Sequence, residues 1–344
     1  MGDNGKKLKE KSTFRIYCEY YPFLLLYGVL RLLPLKCGYT LVAPLISLLF
    51  LVDRRHARRS VQHILHAGIT DDRAEARRLA RRSYREFGKL LVEIVKMDQL
   101  YTPDHVVITG PEETLNLILP ERNSGKRQVI IATAHYGNWE VAGTAFATRT
   151  ATPMFSLMRA FGNPLIGELI LAHRRSDVHI LIDKRLGIRP VLKALNDGRT
   201  ATMLIDQHAA GNEGVDCLFF GHPARVHMTP ALLHLKTGIP ILPEITVRVG
   251  DDFRFELRCG KLIRYQPTGD KTKDVQVVSQ MCISALEEMI RKDPDQWLWA
   301  PRHWLDINRR QAEEYHDWKP APEIASIAAG YNVTGNNDEE KREQ

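Results

Sequence analysis

The sequence predicts an α/β protein with a mostly parallel central sheet, preceded by an N-terminal hydrophobic helical segment. From residue 106 onward, short β-branched runs alternate with helical stretches, which is typical of a parallel sheet covered by helices. Residues 21–52 are almost wholly apolar, and residues 53–100 combine apolar positions at helical spacing with a basic surface. These patterns divide the chain into a hairpin at 1–52, a basic helical segment at 53–100, an α/β domain at 101–318 and a tail at 319–344.

The hairpin at 1–52 is predicted to associate with a membrane. Arg31, Pro34 and Lys36 interrupt its apolar run, so each limb is shorter than the roughly 20 apolar residues of a spanning helix. Basic residues flank the run on both sides, which favours placing both ends on the cytoplasmic side. A helical hairpin that is re-entrant or lies in the membrane plane fits better than a single span. A hairpin buried in a soluble core is the alternative.

The spacing of apolar residues in segment 53–100 predicts an amphipathic helical region with arginines on its outer face. Its apolar positions include Leu79, Phe87 and Leu90, which recur at helical spacing. Such a basic face is either solvated surface, a contact with anionic headgroups, or a docking site for an acidic acyl carrier protein. The polar, alanine-rich tail at 319–344 cannot bury much apolar surface, and we expect it to be disordered.

The pattern of apolar residues predicts strands and helices that alternate along the α/β domain. Strands are predicted at 106–108, 129–133, 154–157, 179–182, 202–205, 241–247 and 253–257, and helices at 163–173, 189–196, 230–237 and 276–291.

Charge and cysteine content narrow the function. A formal net charge of +7 favours an anionic partner, but the chain has no helix-turn-helix, RNP or finger pattern, so we expect no nucleic acid. Its five cysteines lack C-x-x-C spacing, which fits a reducing compartment and argues against a disulfide framework. His63 and His66 have no third ligand nearby, and we expect no metal and no bound cofactor.

The most informative stretch is an apolar strand, 129–134, that ends on His135. Gly137 then permits a sharp turn, and Asn138 can cap the following helix. Glu140, about one helical turn on, can fold back toward the imidazole. The pair predicts a general base and the carboxylate that orients it, unless it only caps the helix. The motif contains no serine or cysteine, so a hydroxyl of the substrate is the expected nucleophile.

Polar residues also follow two other predicted strands. Arg159 comes after 154–157, and its guanidinium matches a phosphate or a carboxylate; a structural ion pair is the alternative. Asp206 and Gln207 come after 202–205, at the kind of strand end where α/β proteins build sites. Their alternative role is to cap the next loop.

These blocks, in this order, resemble the bacterial lipid A biosynthesis lauroyl/myristoyl acyltransferase family of the lysophospholipid acyltransferase superfamily. The resemblance runs from Arg54 to Trp304, about three-quarters of the chain. Its blocks are the H-x4-E pair His135 and Glu140, the run 158–165, the run 204–207 followed by 219–221 and 229–231, and the tryptophan-rich run 296–304. Glu140 stands where many superfamily members have Asp, and Ala134 where many glycerolipid enzymes have Asn. The second departure favours a glycolipid over a glycerol-phosphate acceptor.

The resemblance implies a glycerolipid-acyltransferase-like αβ sandwich with an N-terminal membrane anchor. It implies a membrane-bound O-acyltransferase that moves a fatty acyl chain from an acyl carrier protein thioester to a hydroxyl of a glycolipid, first of all a lipid A precursor. Coenzyme A is the alternative carrier of this donor substrate. The expected location is the cytoplasmic face of the bacterial inner membrane, with the carrier protein, the glycolipid and anionic membrane lipids as partners.

The site residues follow from the same blocks. The resemblance implies catalytic roles for His135 and Glu140. The substrate-binding candidates are Gly137, Asn138, Arg159, Asn163, Asp206, Gln207 and Gly221. Three alternatives stay open: the same chemistry on a phosphatidylinositol mannoside or an aminolipid, a catalytically inactive membrane-binding scaffold, and a hydrolase.

Overall fold

The computed structural model describes residues 12–158, 162–171, 178–183, 188–304 and 318–333. Four helices come first: α1 Thr13–Leu32, α2 Leu35–Val52, α3 Arg54–His66 and α4 Arg73–Leu100. Pro34 separates α1 from α2 because its fixed φ and missing N–H favour a new start. The side chain of Asp53 caps α3 and that of Asp72 caps α4, each by accepting a backbone N–H of the first turn.

A sheet of seven described strands forms the centre of the protein. Its strands are β1 Val106–Thr109, β2 Ile130–Gly137, β3 Met154–Met158, β4 His179–Asp183, β5 Thr200–Leu204, β8 Ile241–Val249 and β9 Arg254–Cys259, in the order β1-β9-β8-β2-β5-β3-β4. β8 and β9 pair antiparallel, and the other described neighbours pair parallel. The predicted mixed α/β fold with a mostly parallel sheet is therefore confirmed.

A separate two-stranded hairpin, β6 Gly214–Phe219 and β7 His222–His227, was not predicted. The remaining described helices are α5 Glu112–Ile118, α6 Trp139–Thr150, α7 Pro164–Leu171, α8 Arg189–Asn196, α9 Thr229–Thr237, α10 Lys271–Lys292 and α11 Pro322–Val333. The expectation of disorder over 319–344 is wrong for the residues of α11. Ile324 is buried, and Lys273 of α10 pairs with Glu323 at 2.6 Å, so this helix has a partner that its composition did not reveal.

The core lies on both faces of the sheet, as the alternation of side chains in a strand requires. Along β2, Ile130 and Ala132 belong to one hydrophobic cluster, whereas Ile131 belongs to the other, which also contains Phe146 of α6. The first cluster also contains Ile46 of α2. The N-terminal helices therefore share a hydrophobic core with the sheet that carries the site.

Helix α2 has one packed face and one exposed face. Gly38, Val42, Ile46 and Phe50, each four residues apart, are buried, and α2 packs chiefly on α4. Leu45, Leu48 and Leu51 on its other face are exposed. By length and composition α2 is also long and apolar enough to cross a membrane.

Candidate active site

His135 lies at the C-terminal end of β2, beside the residues that follow β5. Because β2 and β5 are adjacent and parallel, their C-terminal ends meet at one edge of the sheet. The imidazole Nδ1 of His135 lies 2.8 Å from Oδ1 of Asp206. The side chain of Asp206 is fully buried, whereas 20% of the His135 side chain is exposed. The histidine is therefore held from inside the protein and open toward solvent.

The carboxylate of Asp206 is fully engaged by the protein. Its Oδ2 accepts hydrogen bonds from the backbone N–H of His135 at 3.1 Å and from the indole N–H of Trp297 at 2.9 Å. Burial opposes ionisation of this carboxyl, but the charge and hydrogen bond of His135, with Trp297 and His303, outweigh it and lower its pKa. An ionised Asp206 accepts the Nδ1–H of His135, which leaves Nε2 as the proton acceptor.

This geometry corrects two predictions. The carboxylate on the ring of His135 belongs to Asp206, whereas the sequence predicted Glu140 for that contact. Asp206, predicted to bind substrate, is sealed in the core with protein donors on both oxygens. Glu140 lies in the first turn of α6, where its backbone N–H donates to Asn138. The sequence predicted both carboxylates as site residues, but their roles depend on a strand order that the sequence does not reveal.

Gln207 is the second predicted residue that the fold brings to His135. Its Nε2 lies 3.2 Å from Nδ1 and 3.3 Å from Nε2 of the imidazole. The ring of Trp139 stands edge-on to His135, with 5.1 Å between ring centroids. The imidazole therefore lies between an amide and an aromatic ring, in addition to its buried carboxylate.

The turn after β2 has the structure that the sequence predicts. Gly137 has φ +53°, and a Cβ built there would lie 1.8 Å from the carbonyl oxygen of Thr246, so the position accepts only glycine. Oδ1 of Asn138 accepts the backbone N–H groups of Glu140 and Val141 at 3.1 and 3.0 Å, which caps α6. The proposed substrate-binding role of these two residues stays a prediction.

A buried ion-pair network supports this turn through the side chain of Asn138. Nδ2 of Asn138 donates to Glu93 of α4 at 2.8 Å. The same carboxylate accepts two hydrogen bonds from the guanidinium of Arg248 in β8, at 2.5 and 2.6 Å, and one from the hydroxyl of Tyr39 in α2 at 2.6 Å. Arg248 also pairs with Glu86. The network thus connects two N-terminal helices and β8 to the cap of α6.

The tryptophan-rich segment 297–304 contributes a second support, whose role the sequence did not predict. The backbone N–H of Leu298 donates to the carbonyl of His135 at 3.0 Å. The ring nitrogens of His303 lie 2.7 Å from the carbonyl oxygen of Asp206 and 3.0 Å from that of Leu298. His303 therefore ties this segment to the strand end that carries Asp206. In the part of the chain that the structure describes, no three His, Cys, Asp or Glu side chains form a metal-ion site.

Of the three other predicted substrate-binding residues, two lie away from these contacts and one is not among the residues that the structure describes. Arg159 falls outside the described residues. Asn163 caps α7 through its Oδ1, and its Nδ2 donates to the carbonyl of Ile16 in α1 at 2.9 Å. Gly221, with φ +77°, forms the β6–β7 turn with Phe220. The described contacts of Asn163 and Gly221 are structural, and their binding roles stay predictions.

A buried carboxyl near the site gives a pH-dependent prediction. Burial raises the pKa of Glu244 in β8 from near 4.5 to about 8, and the hydroxyl of Thr246, 3.5 Å away, lowers it only in part. Between these pH values the folded protein keeps a proton that the unfolded chain releases, so stability falls as pH rises. Glu244→Gln removes this ionisation and is expected to stabilise the protein at pH 8 by on the order of a few kcal/mol.

Thermal unfolding of wild type and Glu244→Gln at acid pH and at pH 8 checks this expectation. Below pH 4.5 both forms are neutral at this position, so the two melting temperatures should nearly coincide there. An equal difference at both pH values would show that folding does not raise the pKa of this carboxyl.

A partly exposed histidine whose Nδ1 is held by a buried carboxylate is an arrangement that enzymes use to activate a hydroxyl. The chain belongs to the bacterial lipid A biosynthesis acyltransferase family, whose family model matches residues 7–306. The resemblance drawn from the sequence blocks is confirmed.

Two curated relatives are phosphatidylinositol mannoside acyltransferases of Mycobacterium tuberculosis. The chain is 23% identical over 179 residues to the protein of strain ATCC 25618 / H37Rv and 23% identical over 180 residues to that of strain CDC 1551 / Oshkosh. Each match covers 51% of this chain and 54% of the relative. The match therefore spans about half the length of these relatives.

Proposed function

We propose that the protein transfers a fatty acyl group from a thioester donor to a hydroxyl of a membrane glycolipid, with a lipid A precursor as the first candidate acceptor. The observation that carries this proposal is the hydrogen bond between Nδ1 of the partly exposed His135 and the buried Asp206. In the neutral tautomer that this bond favours, Nε2 is the proton acceptor. A base placed this way typically contributes about 10²–10⁴-fold to the rate.

The proposed reaction has two steps. Nε2 of His135 takes the proton of the acceptor hydroxyl as its oxygen attacks the thioester carbonyl carbon, which forms a tetrahedral oxyanion. When the carbon–sulfur bond breaks, the imidazolium returns the proton to the leaving thiolate. Asp206 stabilises the imidazolium between the steps, because its ionised form is already favoured beside His135.

Other residues have proposed supporting roles. The amide of Gln207 lies beside both ring nitrogens and is a proposed donor to the oxyanion. Glu140 remains a proposed catalytic residue, acting on the acceptor rather than on the ring of His135. Arg159 remains the proposed ligand of an acceptor phosphate.

A phosphatidylinositol mannoside is the second candidate acceptor, because both relatives named above are acyltransferases for that lipid. The two candidates share a glycan hydroxyl next to phosphate, so the chemistry at His135 is the same. Acyl carrier protein is the proposed carrier of the donor, and coenzyme A is the alternative.

An acceptor–donor matrix tests the proposal. Purified protein is incubated with labelled acyl carrier protein thioester or acyl-coenzyme A, together with a lipid A precursor or a phosphatidylinositol mannoside, and products are identified by mass spectrometry. We expect one acceptor to gain a single ester-linked chain. Release of free fatty acid at the same rate with and without either acceptor would instead indicate a hydrolase.

We also propose that the protein sits on the cytoplasmic face of the inner membrane through its first two helices. Helix α1 exposes an apolar stripe at helical spacing. Its members are Phe14, Tyr17, Tyr21, Leu25, Val29 and Leu32. Together with the exposed leucines of α2, this surface supports a hairpin that lies in the membrane plane.

A further inference from the structure

The C-terminal end of α2 adjoins a cleft lined by arginines. One part of the cleft, of about 380 Å³, has an apolar floor that includes Phe50, Ala57 and Val61. A second part, of about 240 Å³, continues along α2 and shares Phe50 and Leu51 with the first. We call the two parts together the arginine groove. Its arginines are Arg54 and Arg58 of α3 and Arg73, Arg77, Arg81 and Arg85 of α4.

The four arginines of α4 recur at every fourth position, which places them in one row along the helix. Like charges four residues apart repel each other and destabilise an isolated helix. The two arginines of α3 have the same spacing. The groove therefore concentrates six positive charges in an arrangement that is unfavourable without an anion.

The neighbouring arginines of α4 are different. Arg78 lies 3.8 Å from Asp72, and Arg82 lies 3.5 Å from Asp295. Over the ranges that the structure describes, the six arginines of the groove have no such carboxylate partner. Arg81 instead has its guanidinium 5.6 Å from the ring centroid of Phe50. On α4, the arginines that line the groove are thus the ones without a described carboxylate partner.

The groove ends on exposed apolar surface, which favours a lipid over a soluble acidic protein. Leu48, Leu51 and Val52, at the end of α2, are exposed beside it. Guanidinium groups bind phosphate oxygens in a bidentate manner, while adjacent leucines favour acyl chains. A phospholipid offers both groups at this spacing, since its phosphate lies at the edge of the hydrocarbon region.

We propose that the arginine groove binds the phosphates of anionic phospholipids and so seats the exposed face of α2 at the bilayer surface. The proposal rests on the membrane association proposed above. The groove shares no lining residue with the described contacts of His135. Its role is therefore to place the protein on the membrane, separately from the acyl-transfer chemistry.

Vesicle binding of the full chain tests this proposal. Sedimentation is measured with phosphatidylcholine vesicles that contain or lack phosphatidylglycerol. The variant Arg77→Gln/Arg81→Gln removes two groove charges, and Arg78→Gln/Arg82→Gln removes two charges from the adjacent, paired positions of the same helix. We expect the first pair to weaken binding to anionic vesicles about 30-fold, the equivalent of about 1 kcal/mol for each arginine. The control pair should change it much less.

The other outcomes overturn the proposal in distinguishable ways. Equal losses in both variants would show a diffuse charge effect with no groove, while membrane association itself stands. If the wild type binds no vesicle, both the proposed membrane association and the proposed phospholipid site are refuted. Displacement by inorganic phosphate beyond that by chloride at equal ionic strength would identify soluble phosphate as the ligand. If Arg77→Gln/Arg81→Gln binds vesicles as the wild type does but has a raised KM for the acyl carrier protein thioester, the groove is a site for the carrier protein instead.

Discussion

Replacing Asp206 by asparagine is expected to reduce kcat for acyl transfer by roughly 10²–10⁴-fold while the protein stays folded. The reason is the hydrogen-bond pattern around the carboxylate. Oδ2 accepts from two N–H donors, of His135 and Trp297, so the carbonyl oxygen of asparagine must take that place. The amide N–H₂ then faces Nδ1 of His135 and donates to it. This forces the proton onto Nε2, which can no longer act as the base.

Steady-state kinetics of three variants measure this effect. Glu140→Gln is the comparison variant, because it removes the other candidate carboxylate and leaves the hydrogen bond between Asp206 and the ring of His135 in place. We expect a larger loss of kcat in Asp206→Asn than in Glu140→Gln, and a loss in His135→Ala at least as large as in Asp206→Asn. A greater loss in Glu140→Gln would show that Glu140 contributes more to the rate than the carboxylate that holds His135. Full activity of His135→Ala would refute general-base catalysis by this residue.

Replacing Arg248 by methionine is expected to lower the free energy of unfolding by about 3–5 kcal/mol. Methionine keeps much of the volume but leaves Glu93 buried without its cation, while Tyr39 and Asn138 still donate to it. Removing one partner of a buried ion pair leaves an uncompensated charge, which costs far more than the pair contributes. Because Glu93 also holds Asn138, activity should fall along with stability.

Arg258→Met is the control for this second prediction. Arg258 lies in the adjacent strand β9 and pairs with Glu256 and Asp293, but it is partly exposed. Its replacement should cost less than about 1 kcal/mol. The double variant Arg248→Met/Glu93→Gln should recover part of the loss, because it removes the unpaired charge. Chemical unfolding gives all these values, and equal costs for the two single arginine variants would contradict a special role of the buried network.

The sequence predicted some parts of the site well because they depend on neighbours in the chain. Gly137 and Asn138 form a turn and a helix cap within a few residues of His135, so local rules of backbone conformation suffice. The apolar strand before them is recognisable for the same reason. The family follows from such blocks, since each block keeps its own local pattern.

The orienting carboxylate was assigned to the wrong residue because its position is not local. Asp206 is 71 residues from His135 in the chain, and the two meet because β5 lies beside β2 in the sheet. Nothing in the composition of either strand states that order. The roles of Trp297 and His303, and the link from Glu93 to Asn138, depend on the same kind of long-range packing.

In the N-terminal helices, too, some features follow from the local sequence and others only from long-range packing. Their apolar character is a property of the sequence, but periodicity did not reveal which leucines of α2 face α4 and which stay exposed. The separation of paired from unpaired arginines on α4 also required the positions of Asp72 and Asp295.

By itself the sequence determined the kind of fold, the turn that follows His135, and the acyltransferase family, because these depend on periodicity and short motifs. Only the tertiary structure decided which carboxylate holds His135 and which charges stay unpaired. Those features arise where distant segments meet in three dimensions, and the strand order and helix packing that bring them together are not encoded in any single stretch of chain.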